Sequence, residues 1–486
     1  MNNLGQLLLQ SSAIARDRTA LSDAGGTLTY RELCEAAAAV ERALRAVGLD
    51  ADEPVLVPVA NETRDPAALV GVWLAGGVAV PVARHAPEAA IEAIRAATGA
   101  RFSVSNVANE YVVRIRREEP PYRPLLSGAA VIIFTSGSTG RQKGVVLSHR
   151  AFIGKLEAID SMLNFAPGTR TLLVLQMTFV FGLWVLLLTL LKGGTVWTNA
   201  RFDPVGVLAA LRDLRISDVA LVPTMLRKIL LLDRAISRSL IGESDPCRIL
   251  TGGEPFGREL STRLQDLMPD APVVDIYGST ETCSSDFFLA AHERGRFAET
   301  IGHPSLHVRF RVADDHSREL PVQSVGELQI RTPFIMNGYL DEPEMTRSAF
   351  ADGFFRTGDL ARVRDDGRVE LVGRIKDLIN RGGAKVSPLE LDRVLVQHPA
   401  VAAALTAGVP DPILGERIHA LIVRSAHKSV DEKALREWIA EKIEGFKRPD
   451  VYHFADELPI GGTGKVDRNA LRDQLLQFAG TGRSKP

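Results

Sequence analysis

Phe134-Thr-Ser-Gly-Ser-Thr-Gly-Arg-Gln-Lys-Gly144 follows the apolar run Ala129 to Phe134 and carries four hydroxyls, three glycines and a lysine. Hydroxyls and bare backbone N–H groups bind phosphate oxygens, glycines admit the ligand close to the chain, and the lysine supplies charge. A nucleotide phosphate is the expected guest. The G-x-x-x-x-G-K-[ST] phosphate loop does not fit the stretch. After Gly137 the second glycine position holds Gln142, and Lys143 is followed by Gly144 instead of Ser or Thr.

Further motifs lie in order downstream: Tyr277-Gly-Ser-Thr-Glu281, Gly326-Glu-Leu-Gln-Ile330 with Asn337-Gly-Tyr339, Phe355-Arg-Thr-Gly-Asp359, Gly373-Arg-Ile-Lys-Asp377 and Pro459-Ile-Gly-Gly-Thr-Gly-Lys465. Weaker echoes at Leu28 to Glu32 and Gly76 to Pro81 extend the series toward the N-terminus. Together they resemble the adenylate-forming superfamily of acyl-CoA synthetases, peptide-synthetase adenylation domains and luciferases. The nearest resemblance is to a free-standing acyl- or aryl-CoA synthetase, an AMP-forming acid–thiol ligase.

Composition agrees with a globular protein of two or three domains. Of 486 residues, 45% are hydrophobic and 24% charged, ordinary for a packed core with a solvated surface. A net charge of −1 leaves no global field for nucleic acid or anionic membrane. Cys34, Cys247 and Cys283 are far apart and form no C-x-x-C pair, which argues against structural zinc and for a reducing compartment. Met1-Asn-Asn-Leu4 lacks signal-peptide character, so a cytoplasmic location is expected. The apolar stretch Leu172 to Leu191 has the length of a membrane span, but Gln176, Thr178 and Gly182 interrupt it and Lys192-Gly-Gly194 ends it.

Alternating apolar runs and helical patterns predict stacked βα units. Strands are expected at Glu53 to Val59, Asp218 to Val222, Arg248 to Thr251 and Val273 to Ile276. Helices are expected at Ala67 to Ala75, Val205 to Leu214 and Asp431 to Ile443. Arg311 to Arg374 is turn-rich and reads as a β-rich subdomain, with Asp359 in a turn. The expected fold is α/β: a large N-terminal domain of layered α/β/α sheets with that subdomain, plus a small mobile α+β C-terminal domain. By resemblance the boundaries are 1–373, a hinge at 374–377, and 378–486, with a disordered tail from Gly480 to Pro486.

The resemblance also implies the chemistry. A carboxylate resists nucleophiles, and joining it to AMP makes a mixed anhydride with a good leaving group; two anions must meet, so charge neutralisation is the main task. Thr135, Ser136, Gly137, Ser138, Thr139, Gly140 and Lys143 would hold the β- and γ-phosphates. Thr280 would bond the α-phosphate and Glu281 would take Mg²⁺. Asp359 and Arg374 would meet the ribose. Tyr277 and Gly278 would face the adenine, with Gly252, Gly253 and Glu254 on its other side. Lys465 would bridge carboxylate and α-phosphate. A swing about Lys376 would then replace it with the loop Asn380 to Val386, whose Gly383 and Lys385 would border a thiol tunnel.

For the acid, Phe179, Val180, Phe181, Gly278 and Cys283 are the candidate pocket residues. Val180 stands where amino-acid-activating relatives carry an Asp, and a buried ammonium without a counter-ion is costly. Phe179 replaces a histidine common in CoA ligases. An apolar monocarboxylic acid, aromatic or short-to-medium aliphatic, is expected, and Trp184 reads as core. No carrier domain follows Lys465 before Pro486, so the thiol is expected to be that of CoA or of a separate carrier protein. A second class of reading, a nucleotide-binding pseudoenzyme, is opposed by the intact Lys465, Glu281 and Asp359.

Overall fold

Two large sheets enclose a shared layer of buried helices. The computed structural model describes residues 3–13, 15–107, 110–116, 121–136, 142–242, 246–425, 428–461 and 465–480. Among them, a nine-stranded sheet has the parallel core Val273–Tyr277, Arg248–Gly252, Asp218–Leu221, Arg170–Leu173, Thr195–Thr198 and Thr19–Asp23. A seven-stranded sheet centres on Pro54–Val59, Val78–Ala83 and the antiparallel pair Ala129–Ser136 and Gln142–Ser148. Strands buried on both faces read as continuous apolar runs, hence Pro54-Val-Leu-Val-Pro-Val59.

Helices Tyr30–Ala46, Asp65–Ala75, His149–Leu163 and Val180–Leu191 contribute to one apolar cluster with strands of both sheets. Asp65–Ala75 is buried at every residue, as expected of a helix without a polar face. The suspect stretch resolves into the strand Arg170–Leu173, a connecting loop and the helix Val180–Leu191. No helix among the described residues is long and apolar enough to cross a membrane.

A third sheet joins Arg309–Ala313, Gly326–Arg331 and Phe354–Val363 to Val369–Arg374. Here one expectation is corrected: Thr357-Gly-Asp359 lies inside the ten-residue strand Phe354–Val363, not in a turn. Gly358, at φ 72°, interrupts the regular register, and Asp359 pairs with Arg374 across the ladder. The fourth sheet, Ala384–Val386, Ile379–Arg381, Gly415–Arg424, Val401–Asp411 and Val451–Ala455, covers its own apolar cluster with helices Pro388–Leu395 and Glu432–Ala440. The latter helix stops three residues short of Ile443, and the last helix, Arg468–Gly480, runs into the segment expected to be disordered. The chain is thus mixed α/β, with a large N-terminal and a smaller C-terminal region.

Candidate active site

The strands of the nine-stranded sheet deliver their C-terminal ends to one side, where open α/β sheets place ligands. Gly252 ends one strand and Tyr277 the next, paired in register through Gly252 and Ile276. The Tyr277 hydroxyl donates to Asp359 Oδ2 at 2.6 Å, and Arg374 Nε donates to Asp359 Oδ1 at 2.7 Å. Each carboxylate oxygen keeps a second lone pair for a ligand hydroxyl. Burial, with the Asp359 charge beside it, pushes the Tyr277 phenol well above its usual range. The same carboxylate raises the Arg374 guanidinium, which therefore stays charged.

After Tyr277 the backbone coils tightly. Cys283, Ser284 and Ser285 take φ of 60°, 71° and 53°, three left-handed residues in succession without a glycine. Each costs about 1 kcal/mol or more. Hydrogen bonds from Ser284 N to Ser279 O and from Asp286 N to Tyr277 O hold the coil. It carries Thr280 and Glu281, and Glu281 meets Tyr339, which pairs with Val145 of the hairpin Ala129–Ser136/Gln142–Ser148. Tyr339 donates to Glu281 Oε1 at 2.9 Å, and the Lys143 ammonium lies 5.3 Å from the Tyr339 ring centre. Thr135 faces Lys143 across that hairpin. Gly137, Ser138, Thr139 and Gly140 lie outside the described residues, as does the side chain of Ser136.

Lys465 completes the constellation from the C-terminal region. Gly253 has φ 83°, and a Cβ built there would sit 2.6 Å from Lys465 Nζ, so only glycine leaves the lysine its place. Val466 N donates to Glu254 Oε1 at 3.0 Å, while Thr224 and Arg227 hold the rest of that carboxylate. Glu254, expected at the nucleotide, is engaged by these three partners and anchors the docked segment. Burial lowers the Lys465 ammonium, the Glu254 charge opposes that, and Arg374 adds to it. Lys465 is half-buried.

Phe179 precedes the helix Val180–Leu191, and Phe181 stacks on the fully buried Trp184 at 5.3 Å between ring centres. Val180 and Cys283 are buried in the cluster that holds Trp184. Lys376 is exposed in the short turn Ile375–Asp377. Gly383 and Lys385 belong to a hairpin, Ile379–Arg381 with Ala384–Val386, and not to an irregular loop. Gly382 and Gly383, at φ 57° and 85°, supply the two positive φ values its tight turn needs. Among the described residues this hairpin is braced inside its own region, by Arg381 on Asp450 and Glu416 on Asn380 N, and it does not join the constellation.

Three elements escaped sequence reasoning. Tyr339 sat in a recognised motif but received no role. Asp275 shares a strand face with Tyr277, and burial pushes its carboxyl up to about 7 against the pull of Arg294; its only sequence signal is a lone acid within Val273-Val-Asp-Ile-Tyr277. The third is the buried pair Lys155–Asp286, at 2.8 Å.

These features belong together in a known class. The AMP-binding enzyme family model matches residues 9–340, and the model of its C-terminal domain matches 390–465. The chain belongs to that family of adenylate-forming ligases, and it is an AMP-forming acid–thiol ligase by membership. Among its relatives is a feruloyl-CoA synthase from Amycolatopsis sp, 31% identical over 96% of this chain and 98% of the relative. A fatty acid–[acyl-carrier-protein] ligase, ScoC from Streptomyces coeruleorubidus, is 30% identical over 93% and 92%. Of solved structures, the o-succinylbenzoate CoA synthetase of Bacillus subtilis with its acyl-adenylate superposes with a TM-score of 0.81 at 25% identity, covering 96% of this chain and 98% of that one. ATP-bound MatB from Rhodopseudomonas palustris gives 0.85 at 24%, covering 97% and 99%, a likeness of fold.

Proposed function

We propose that this enzyme uses ATP to convert an apolar monocarboxylic acid into its acyl-adenylate, then transfers the acyl group to the thiol of CoA, releasing AMP. The observation that carries this is Lys465 lying over Gly253, beside the strand end that bears Tyr277 and within electrostatic range of Arg374, which holds Asp359. In this reading Lys465 neutralises the carboxylate and α-phosphate as they approach. Thr280 bonds the α-phosphate, while Thr135, Ser136, Ser138, Thr139 and Lys143 hold the departing pyrophosphate. Tyr277 stacks on adenine, and Asp359 with Arg374 takes the ribose.

Glu281 suits Mg²⁺. Tyr339 orients one carboxylate oxygen, and no cluster of three acids, histidines or cysteines competes among the described residues. A single carboxylate plus substrate phosphates is the usual Mg²⁺ environment, where the ion offsets phosphate charge. Phe179, Val180 and Phe181 favour an aryl or aliphatic acid, in keeping with the feruloyl-CoA synthase among the relatives. For the thiol step, residues 378–486 would turn about 374–377, with Lys376 at the pivot, and bring Gly383 and Lys385 to the site. The carrier-protein ligase among the relatives favours a second reading in which the thiol belongs to a carrier.

The test is acid-dependent ATP–pyrophosphate exchange without CoA over aryl, aliphatic, dicarboxylic and amino acids, with Lys465→Ala as control. Exchange with one apolar class, lost in the variant, supports the reading; exchange in none, despite ATP binding, overturns it. Product release with CoA against a pantetheinylated carrier then separates the two thiols.

A further inference from the structure

Helix His149–Leu163 buries Phe152, Leu156, Ile159 and Leu163 along one stripe. Lys155 lies in the same stripe, with a side chain 1% exposed. Its ammonium donates to Asp286 Oδ1 at 2.8 Å, and the other oxygen of Asp286, itself 0% exposed, accepts from the Thr282 hydroxyl. Burial raises the Asp286 carboxyl, while Lys155 and Thr282 counter it. Among the described residues Asp286 is its one hydrogen-bond acceptor, which leaves two of the three ammonium hydrogens unused; the Phe334 ring centre is 5.5 Å away.

Taking an ion pair out of water costs several kcal/mol, and an apolar pair of equal volume would serve stability as well or better. The location supplies a reason for it. Asp286 is fixed by the left-handed coil that also carries Cys283, and Lys155 lowers while Asp286 raises the Cys283 thiol, which burial pushes up to about 12. Phe152, Phe334, Cys283, Val180 and Trp184 belong to one apolar cluster. Phe334 packs over Gly154 and also borders a pocket of about 230 Å³ that reaches His307.

We propose that Lys155 is a specificity residue that donates a hydrogen bond to a neutral oxygen, a hydroxyl, ether or ketone, at the far end of the acid. The inference rests on the proposed adenylation and deepens it. The pair already balances its own charge, so a second carboxylate there would bring an uncompensated anion into a dry pocket. A neutral acceptor meets the unused N–H groups without that cost.

The experiment compares kcat/KM for ATP–pyrophosphate exchange with near-isosteric acids: para-hydroxy against para-methyl benzoate and cinnamate, and a terminal keto acid against its alkyl counterpart. The wild type is expected to favour the oxygenated member of the accepted pair by roughly ten- to a hundredfold, the worth of a hydrogen bond to a charged group. Lys155→Met combined with Asp286→Asn removes both charges, and the ratio is expected to fall to parity or reverse, because the methyl then gains by its own transfer. A wild-type ratio at or below parity, a ratio unmoved in the double variant, or a lead by dicarboxylic acids overturns the inference and leaves adenylation standing. Absence of Lys465-dependent exchange with every acid overturns both. The wild-type ratio needs no variant to fold.

Discussion

The C-terminal region presents two glycine-bearing segments, and they are in opposite situations. One is docked through its end: Lys465 fills the space over Gly253 and Val466 N bonds Glu254. The other, the Arg381–Ala384 turn, is held within its own sheet region by Asp450, with open space around Gly383. The wall proposed for the nucleotide is already assembled, since Asp359 is bonded to both Tyr277 and Arg374. The difference teaches what the proposed reading requires: a fixed wall, with one segment set against it and the other still to be brought there. In the proposed function, the arrangement described is the one that serves adenylation.

The strongest way to break that comparison is Lys465→Ala. If the docked lysine neutralises the meeting anions, acid-dependent exchange should fall on the order of a hundred- to a thousandfold, the usual loss when one transition-state donor is removed. Thioester formation from acyl-adenylate supplied ready-made should change much less. Rapid-quench measurement of each half-reaction checks this, and equal losses in both would collapse the distinction between the segments.

The reciprocal substitution is Gly383→Val. A β-branched residue at φ 85° strains the turn, and its side chain would occupy the path proposed for the thiol arm. Thioester formation is expected to fall on the order of a hundredfold, as when a reacting group is displaced by about an ångström, with pyrophosphate exchange near the wild-type rate. Loss of exchange instead would place the turn in the adenylation site.

How much of this was legible beforehand follows chain distance. The alternation of Glu53 to Ala75 and the strands ending at Gly252 and Tyr277 were readable because period and turn residues are local signals. So were the motif residues Lys465, Asp359 and Glu281 as chemical types. Pairings between distant residues were not: Tyr339 and Glu281 are 58 residues apart, Lys155 and Asp286 131. Lys155 even sits at core spacing among apolar neighbours, where helix periodicity predicts burial but supplies no partner. Asp359 was misplaced in a turn because Thr-Gly-Asp has turn composition, and only the ladder to Arg374 shows the strand.

A pH profile sharpens the idea of a preassembled wall. The Asp275 carboxyl is raised to about 7 by burial, against about 3.9 in an unfolded chain. The folded protein therefore binds more protons than the unfolded one between those values. The associated stability is full below the unfolded value and is lost as pH rises through about 7. Wild-type melting temperature is expected to drop across that window, and Asp275→Asn should flatten the drop, even if Arg294 left without its counter-charge lowers the curve as a whole. A slope unchanged in Asp275→Asn would assign the titration to another group.

The smallest effect belongs to Tyr339→Phe, and it sharpens the comparison most finely. The phenol's contribution to Glu281 is a hydrogen bond, worth about 1.5–3 kcal/mol to a charged acceptor, of which an orienting role passes on only part to the rate. Its loss leaves the ring, and hence the contact with Lys143, in place. Exchange should slow several-fold, with a higher Mg²⁺ concentration for half-maximal rate, while thioester formation from ready-made acyl-adenylate, which has no pyrophosphate to hold, keeps its rate. If the Mg²⁺ dependence does not move, Glu281 is oriented by something other than Tyr339, and the fixed wall ends at the Tyr277–Asp359–Arg374 chain.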